Sequence, residues 1–118
     1  MLGTSGRARY GLDPERRLSR KADFERLLRE GTRRSRAGYT FIYAAGGRGQ
    51  PRLGILISRK HAAKATVRNG IKRCIREAFR LEQETLAGID LLVRPPYGAK
   101  PGTAMLQKLR QLMTGLGK

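Results

Sequence analysis

The sequence predicts an α+β domain, a small sheet packed against helices, on three observations. Val67–Arg80 repeats its apolar residues at the period of an amphipathic helix. Tyr39–Ala44, Arg52–Ser58 and Ile89–Val93 are rich in β-branched, aromatic and other apolar residues and are bounded by turn formers. Helical and strand-like stretches interleave in the order helix, strands, helix, strand, helix, the pattern of a layered sheet-and-helix sandwich. The chain has 118 residues, enough for one domain with a single core.

Residues 1–15 carry no periodic pattern and read as a mobile basic arm, leaving 16–118 as a single domain. Ser19 can cap a helix and Gly31 can close it in a left-handed conformation, which predicts a helix over about Arg20–Glu30. Its apolar face is Phe24, Leu27 and Leu28; Arg20 and Lys21 at its start oppose the helix dipole. Thr32–Gly38, with Arg33, Arg34 and Arg36, fits a loop or a short edge strand. In Tyr39–Ala44, Tyr39, Phe41 and Tyr43 share one side and Thr40 and Ile42 the other. Gly46–Pro51 signals a hairpin turn. Arg52–Ser58 is apolar on both faces, with Leu53, Ile55 and Ile57 opposite Gly54 and Leu56, as expected of a central strand. A basic connection follows, from Arg59 through Lys60 and His61 to Lys64, and then a long helix from about Ala65 to Leu86, ended by Gly88. Ile89–Val93 is a strand stopped by Pro95-Pro96. Thr103 caps a closing helix to about Met113, whose core stripe is Met105, Leu106, Leu109, Leu112 and Met113.

The long helix organises the rest. At about 100° per residue, Val67, Ile71, Cys74, Ile75, Ala78 and Phe79 fall in one apolar arc. Arg68, Asn69, Lys72, Arg73, Arg76 and Arg80 fill the adjoining arc. Like charges four apart on a helix repel by a few tenths of a kcal/mol, and the row Arg68–Lys72–Arg76–Arg80 accepts this at every step. Glu77, on the flank beside Gly70, can pair with Arg73 or Arg80 without neutralising the centre of the arc. A helix shaped by stability alone would mix in acids, so a polyanion facing this arc explains it better than a solvated face. Arg68 and Arg76 lie off the apolar arc, so the fold is expected to survive their truncation. Gly70 costs the helix about 0.5–1 kcal/mol relative to Ala, so Gly70→Ala is expected to stabilise it.

Lys and Arg number 26 against 9 acids, a formal net charge of +17. A field of that sign attracts nucleic acid first and an anionic membrane surface second. No apolar run approaches the ~20 residues of a spanning helix, and the first residues lack the apolar segment of a signal peptide. Cys74, the one cysteine, sits on the apolar arc as a buried thiol. These features predict a cytoplasmic protein with no membrane role.

A protein-borne catalytic site is not expected: the acids are scattered, no His/Cys spacing fits a metal, and no phosphate-binding glycine loop occurs. His61, the only histidine, is expected to be solvated or a phosphate contact. The aromatics leave alternatives open. Phe41 reads as core. Tyr39 and Tyr43 could be core or a stacking platform for bases, and Phe24 core or a stacking contact. A DNA-binding helix is disfavoured, since only Arg68-Asn69 offers base-reading chemistry at its start.

Arg68-Asn69, Ile71-Lys72-Arg73 and Arg76-Glu77-Ala78-Phe79-Arg80 together resemble the signature helix of the bacterial ribonuclease P protein family. Arg17-Leu18, Asp23-Phe24 and Glu30-Gly31 are similar to its opening helix, and Arg52-Leu53-Gly54 with Ser58-Arg59-Lys60 to its strand and basic loop. The resemblance spans about Arg16 to Met113. It implies an αβββαβα fold with a left-handed βαβ crossover. It implies an accessory subunit that binds a catalytic RNA and the 5′ leader of precursor tRNA, while the RNA hydrolyses the leader with Mg²⁺ that it largely binds itself. By position, Lys60, Lys64, Arg68, Asn69, Lys72, Arg73 and Arg76 would face the catalytic RNA, and the cationic pattern adds Arg59 and Arg80. The leader cleft would map to Phe24, Leu28, Thr40 and Ile42. The family usually carries a basic residue where this chain has Gly70, and often aromatic residues where it has Leu28 and Ile42. No obligate protein partner is expected. The alternative is a ribosomal-type or chaperone-like basic RNA-binding protein using the same helix face.

Overall fold

The computed structural model describes residues 21–46, 51–86 and 88–116. Their elements are α1 (Lys21–Glu30), β1 (Thr32–Arg36), β2 (Tyr39–Ala45), β3 (Arg52–Ile55), α2 (Ala65–Leu81), β4 (Ile89–Arg94) and α3 (Thr103–Leu116). This is the α+β order that the sequence predicts. The arm expected over residues 1–15 and the expected Ser19 cap fall outside the described residues.

The four strands form one mixed sheet in the order β1-β2-β4-β3. β1 and β2 pair antiparallel with Arg36 opposite Tyr39, so a two-residue turn at Ala37-Gly38 joins them. Both turn residues have positive φ, 54° and 84°, which matches the right-handed twist of the strands it connects. β2 pairs antiparallel with β4, and β4 pairs parallel with β3 through a crossover that contains α2.

Two expectations about β3 fail here. It is an edge strand, not a central one, and β4 lies between it and β2, so Gly46–Pro51 does not join hairpin partners. Residues 47–50 of that turn lie outside the described residues. β3 also ends at Ile55, short of the expected Ser58; Leu53 and Ile55 are apolar toward α2 and α3, and on the other side Gly54 lies under Phe24 of α1, because helices cover both faces of the sheet.

Strand alternation sorts the side chains between those layers. Tyr39, Phe41, Leu53, Leu91 and Val93 point to the face covered by α2 and α3, where they bury with Ile71, Ile75, Ala78, Phe79, Met105, Leu109, Met113 and Leu116. Tyr39 is thus core, its ring 6.3 Å from Phe41 and stacked on it, and Tyr43 packs against the same cluster half-buried. Burial pushes the Tyr39 hydroxyl above its ordinary pKa. On the other face Ile42 and Leu92 pack with Leu27, with Phe24, Ala44 and Leu56 around them. Phe24 packs so closely over Gly54 that a Cβ there would lie 2.9 Å from its ring.

Helix ends differ from the sequence reading in detail. α2 stops at Leu81, and a turn follows in which the Leu86 N–H donates to the Glu82 carbonyl at 3.1 Å. Gly88 then adopts φ 81°. Gly31 is not left-handed; it is glycine because a Cβ would meet the Leu27 carbonyl oxygen at 2.6 Å and Ile42 Cγ2 at 2.9 Å. Thr103 is the first residue of α3, and the Gly102 carbonyl accepts from the Leu106 N–H at 3.0 Å, so the capping position belongs to Gly102.

Candidate nucleic-acid interface

The parallel strands β3 and β4 end on the same side of the sheet, and the basic loop 56–64 leads from there into α2. Two anchors shape this loop. The Ser58 N–H donates to His61 Nδ1 at 2.9 Å, and the His61 N–H donates to the Ser58 carbonyl at 3.0 Å. Arg68 reaches back from the first turn of α2 and donates through Nη1 to the carbonyls of Ala62 and Ala63, both at 2.9 Å.

Both anchors change the sequence reading. His61 is buried, with Nε2 lacking a hydrogen-bond partner among the described residues, so it is not a solvated or phosphate-binding side chain. Its own turn and the ring of Tyr97 enclose it, which a lone histidine in a basic run does not reveal. Arg68 is half-buried and satisfies two backbone acceptors that α2 leaves outside its own ladder. Its truncation therefore costs structure as well as charge.

Around these anchors Arg59, Lys60, Lys64, Asn69, Arg73 and Arg80 are exposed, and Lys72 and Arg76 are half-buried. All lie on the loop or on α2, whose adjoining face supplies Ile71, Ile75, Ala78 and Phe79 to the core. α2 opens at Lys64 with no side-chain cap and no acid in its first turn, so its partly positive end adds to the cationic field. Glu77 pairs with Arg80 through two hydrogen bonds, at 3.0 and 2.6 Å. The bonds from Arg80 hold the Glu77 carboxyl below its ordinary pKa of 4.5. Glu77 thus pairs with the last cation of the row.

Gly70 is not an open position at the rim of this face. A Cβ on it would lie 2.8 Å from Pro101 Cγ and 3.0 Å from Pro101 Cβ. The loop between β4 and α3 crosses α2 here, and one turn on, the Gly102 N–H donates to Cys74 Sγ at 3.4 Å. Cys74 is accordingly half-buried under this crossing, not fully enclosed.

The second predicted surface lies between α1 and the sheet. Phe24 and Ile42 belong to one apolar cluster, and Thr40 is on the same side of β2. Thr40 and Ile42 are buried, Phe24 is half-buried, and Leu28 is 48% exposed on the flank of α1.

Sequence reasoning missed the group that fixes α1 over this surface. Asp90 is fully buried in β4 opposite Arg52 of β3. Arg52 donates to it through Nε at 3.0 Å and Nη2 at 2.8 Å, and Arg26 of α1 donates to it at 2.5 Å. Arg52 also reaches Asp23 of α1 at 3.4 Å. Its bonds to Asp90 raise the Arg52 pKa. An Asp inside the apolar run Ile89–Val93 is the signal that could have found it, since Asp is depleted in strands unless something pairs with it. No group of three or more His, Cys, Asp or Glu side chains among the described residues is arranged to hold a metal ion.

A helix that gives one face to the core and an adjoining, nearly all-cationic face to solvent, on a sheet backed by two further helices, defines a small RNA-binding protein of the α+β class. The ribonuclease P family model matches residues 12–117. The chain is 37% identical over 111 residues to the ribonuclease P protein component of Nitrosococcus oceani, covering 92% of this chain and 93% of that one. It is 40% identical over 103 residues to the same component of Bordetella avium, covering 85% and 83%. Among solved structures, the Staphylococcus aureus RNase P protein superposes with a TM-score of 0.76 at 28% identity, covering 87% of this chain and 95% of that one. The Thermotoga maritima RNase P protein does so with a TM-score of 0.72 at 29% identity, covering 84% and 96%. The chain belongs to the ribonuclease P protein family.

Proposed function

We propose that the chain is the accessory protein subunit of ribonuclease P, the endoribonuclease of tRNA processing, and that it works by holding two RNAs at two surfaces. The observation that carries the reading is the α2 face, cationic along its length and continuous with the loop before it, in a member of this family. Arg59, Lys60, Lys64, Arg68, Asn69, Lys72, Arg73, Arg76 and Arg80 bind the catalytic RNA. Each cation set against a phosphate releases counterions, so affinity is strongly salt-dependent. Arg68 has a double role, since it also shapes the loop that presents Arg59, Lys60 and Lys64.

The surface where Phe24 and Leu28 of α1 lie over the buried floor of Thr40 and Ile42 is the cleft that takes the 5′ leader of precursor tRNA. Leu28 gives it an exposed apolar contact, and Phe24 the edge of an aromatic ring. The Asp90 ion cluster sets the distance between α1 and the sheet and so the width of this cleft. Residues 16–118 act as one RNA-binding domain and residues 1–15 as a basic arm.

The chemistry belongs to the RNA and its Mg²⁺. The protein's own acids do not suit that ion: Asp23 and Asp90, two carboxylates that share Arg52, are occupied by Arg52 and Arg26. The protein contributes by binding and orienting, lowering the Mg²⁺ needed to hold two polyanions together. The cytoplasm suits this role, and no helix among the described residues is long and apolar enough to cross a membrane. A ribosomal-type or chaperone-like protein is disfavoured by the family match along nearly the whole chain.

Reconstitution tests the reading. A bacterial ribonuclease P RNA and a precursor tRNA, mixed at Mg²⁺ too low for the RNA alone, should regain cleavage at the mature 5′ end when the protein is added. Equal rescue by an unrelated basic RNA-binding protein would refute it.

A further inference from the structure

Tyr97 is the most exposed large hydrophobic residue described, 67% accessible, yet it is not loosely held. Pro95-Pro96 precede it and restrict the backbone. Pro96 packs on the β1–β2 turn, where a Cβ on Gly38 would lie 3.0 Å from it. The Gly98 N–H donates to the His61 carbonyl at 3.0 Å. The ring itself rests on the ring of buried His61, centroids 4.7 Å apart at 60°. His61 is fixed in turn by the Ser58 N–H. One part of the Tyr97 ring is thus pinned to a rigid support and the rest faces solvent.

The surroundings are cationic. Arg59 and Lys60 immediately precede His61, Lys64 follows it, and Lys100 lies on the loop that carries Tyr97; all four are exposed. An exposed, preorganised aromatic ring among cations that track a phosphate backbone is the arrangement that stacks an unpaired base. A tyrosine needed only to cover His61 would bury most of its ring.

We propose that Tyr97 is a stacking platform for an unpaired base of the RNA bound by the 59–64 loop, the catalytic RNA, with His61 as the residue that positions it. The inference rests on the RNA-facing reading of that loop and adds to it a contact that is not electrostatic. The base is recognised by its π face, so the site discriminates single-stranded from paired RNA and not one base from another.

The test uses the full chain and the catalytic RNA, with dissociation constants measured across a salt series. Tyr97→Leu, which keeps an apolar cover over His61, should bind roughly 5- to 150-fold more weakly, the loss of one stacked base. Its log–log salt slope should match that of the native chain, because no phosphate contact is lost. Tyr97→Phe should bind like the native chain. The chain has no tryptophan, so Tyr97→Trp provides a single reporter whose fluorescence should be quenched when the RNA binds. Lys60→Ala, measured alongside, should lower the salt slope. Native affinity in Tyr97→Leu, or an unquenched Tyr97→Trp, would overturn the stacking site while a lowered slope for Lys60→Ala leaves the RNA-facing loop standing. If Lys60→Ala also leaves the slope unchanged, the loop reading falls and the platform with it. Equal losses in Tyr97→Phe and Tyr97→Leu would assign the contact to the hydroxyl and overturn stacking. A loss seen only with precursor tRNA would overturn the assignment to the catalytic RNA.

Discussion

Gly70→Ala decides between two opposed effects on α2. Helix propensity favours the alanine by about 0.5–1 kcal/mol. Against this, its Cβ would sit 2.8 Å from Pro101 Cγ and 3.0 Å from Pro101 Cβ. A proline ring cannot rotate aside as a long side chain would, so the loop or the helix must shift. Forcing a methyl group into a packed site costs about 1–3 kcal/mol. The packing term is larger, so Gly70→Ala should destabilise the free protein by about 1 kcal/mol, a fall in Tm of about 4 °C for a domain of this size. Urea and thermal unfolding measure it directly. The same substitution in a Pro101→Gly background removes the obstacle and should turn stabilising by about 0.5–1 kcal/mol. A gain in stability from Gly70→Ala in the native background, equal to that in the Pro101→Gly background, would refute the close approach. Gly70 would then be an open helical position.

Three further outcomes follow from the ion pairs and anchors. Asp90→Ala leaves buried Arg52 with only its longer contact to Asp23, at 3.4 Å, and should cost about 3 kcal/mol, the lower end of what breaking a buried pair costs and a large share of the roughly 5–15 kcal/mol that holds a domain folded; a loss below about 1 kcal/mol in urea unfolding would show that the cluster does not fix α1. Arg68→Ala should speed hydrogen exchange in the loop before α2, from Ser58 to Lys64, while the amides of Ile75–Phe79 stay protected, and unchanged exchange in the loop would contradict the two carbonyl contacts. Glu77→Gln should lower stability by less than about 1 kcal/mol at neutral pH, since the pair is surface-exposed. Because the Glu77 pKa is depressed in the fold, that contribution is present above its ordinary value of 4.5 and disappears as pH falls through the lower folded value. A difference between native and Glu77→Gln stability that persisted at pH 2 would contradict it.

The order of elements and the two arcs of α2 were legible in the sequence because amphipathic periodicity is a local property. Strand neighbours were not. Nothing local distinguishes an edge strand covered on both faces from a central one, so β3 was misplaced, and a Gly-rich turn invited a hairpin that β4 interrupts. The true hairpin at Ala37-Gly38 carries an alanine at positive φ, which turn chemistry does not favour. In the candidate site the sequence marks which residues are cationic, but not which of them also hold structure. On a helical wheel Arg68 looks like any other cation of the arc, and only the fold shows it bound to the Ala62 and Ala63 carbonyls. His61, Gly70 and Tyr97 take their roles from the loop between β4 and α3, contacts far apart in sequence. Asp90 was hidden for the same reason, its partners lying on β3 and α1.

The central claim is that the loop and α2 present the surface that grips the catalytic RNA. The direct measurement is the salt dependence of that binding for the native chain and for a chain carrying Lys60→Ala, Lys64→Ala and Lys72→Ala. None of the three side chains belongs to the buried core, so the variant should unfold at nearly the native urea concentration. Each lost phosphate contact lowers the log–log slope by roughly 0.7–0.9, so the slope should fall by about two to three units. A slope unchanged within about half a unit, in a variant that folds normally, would contradict the claim and move the RNA to another face of the protein.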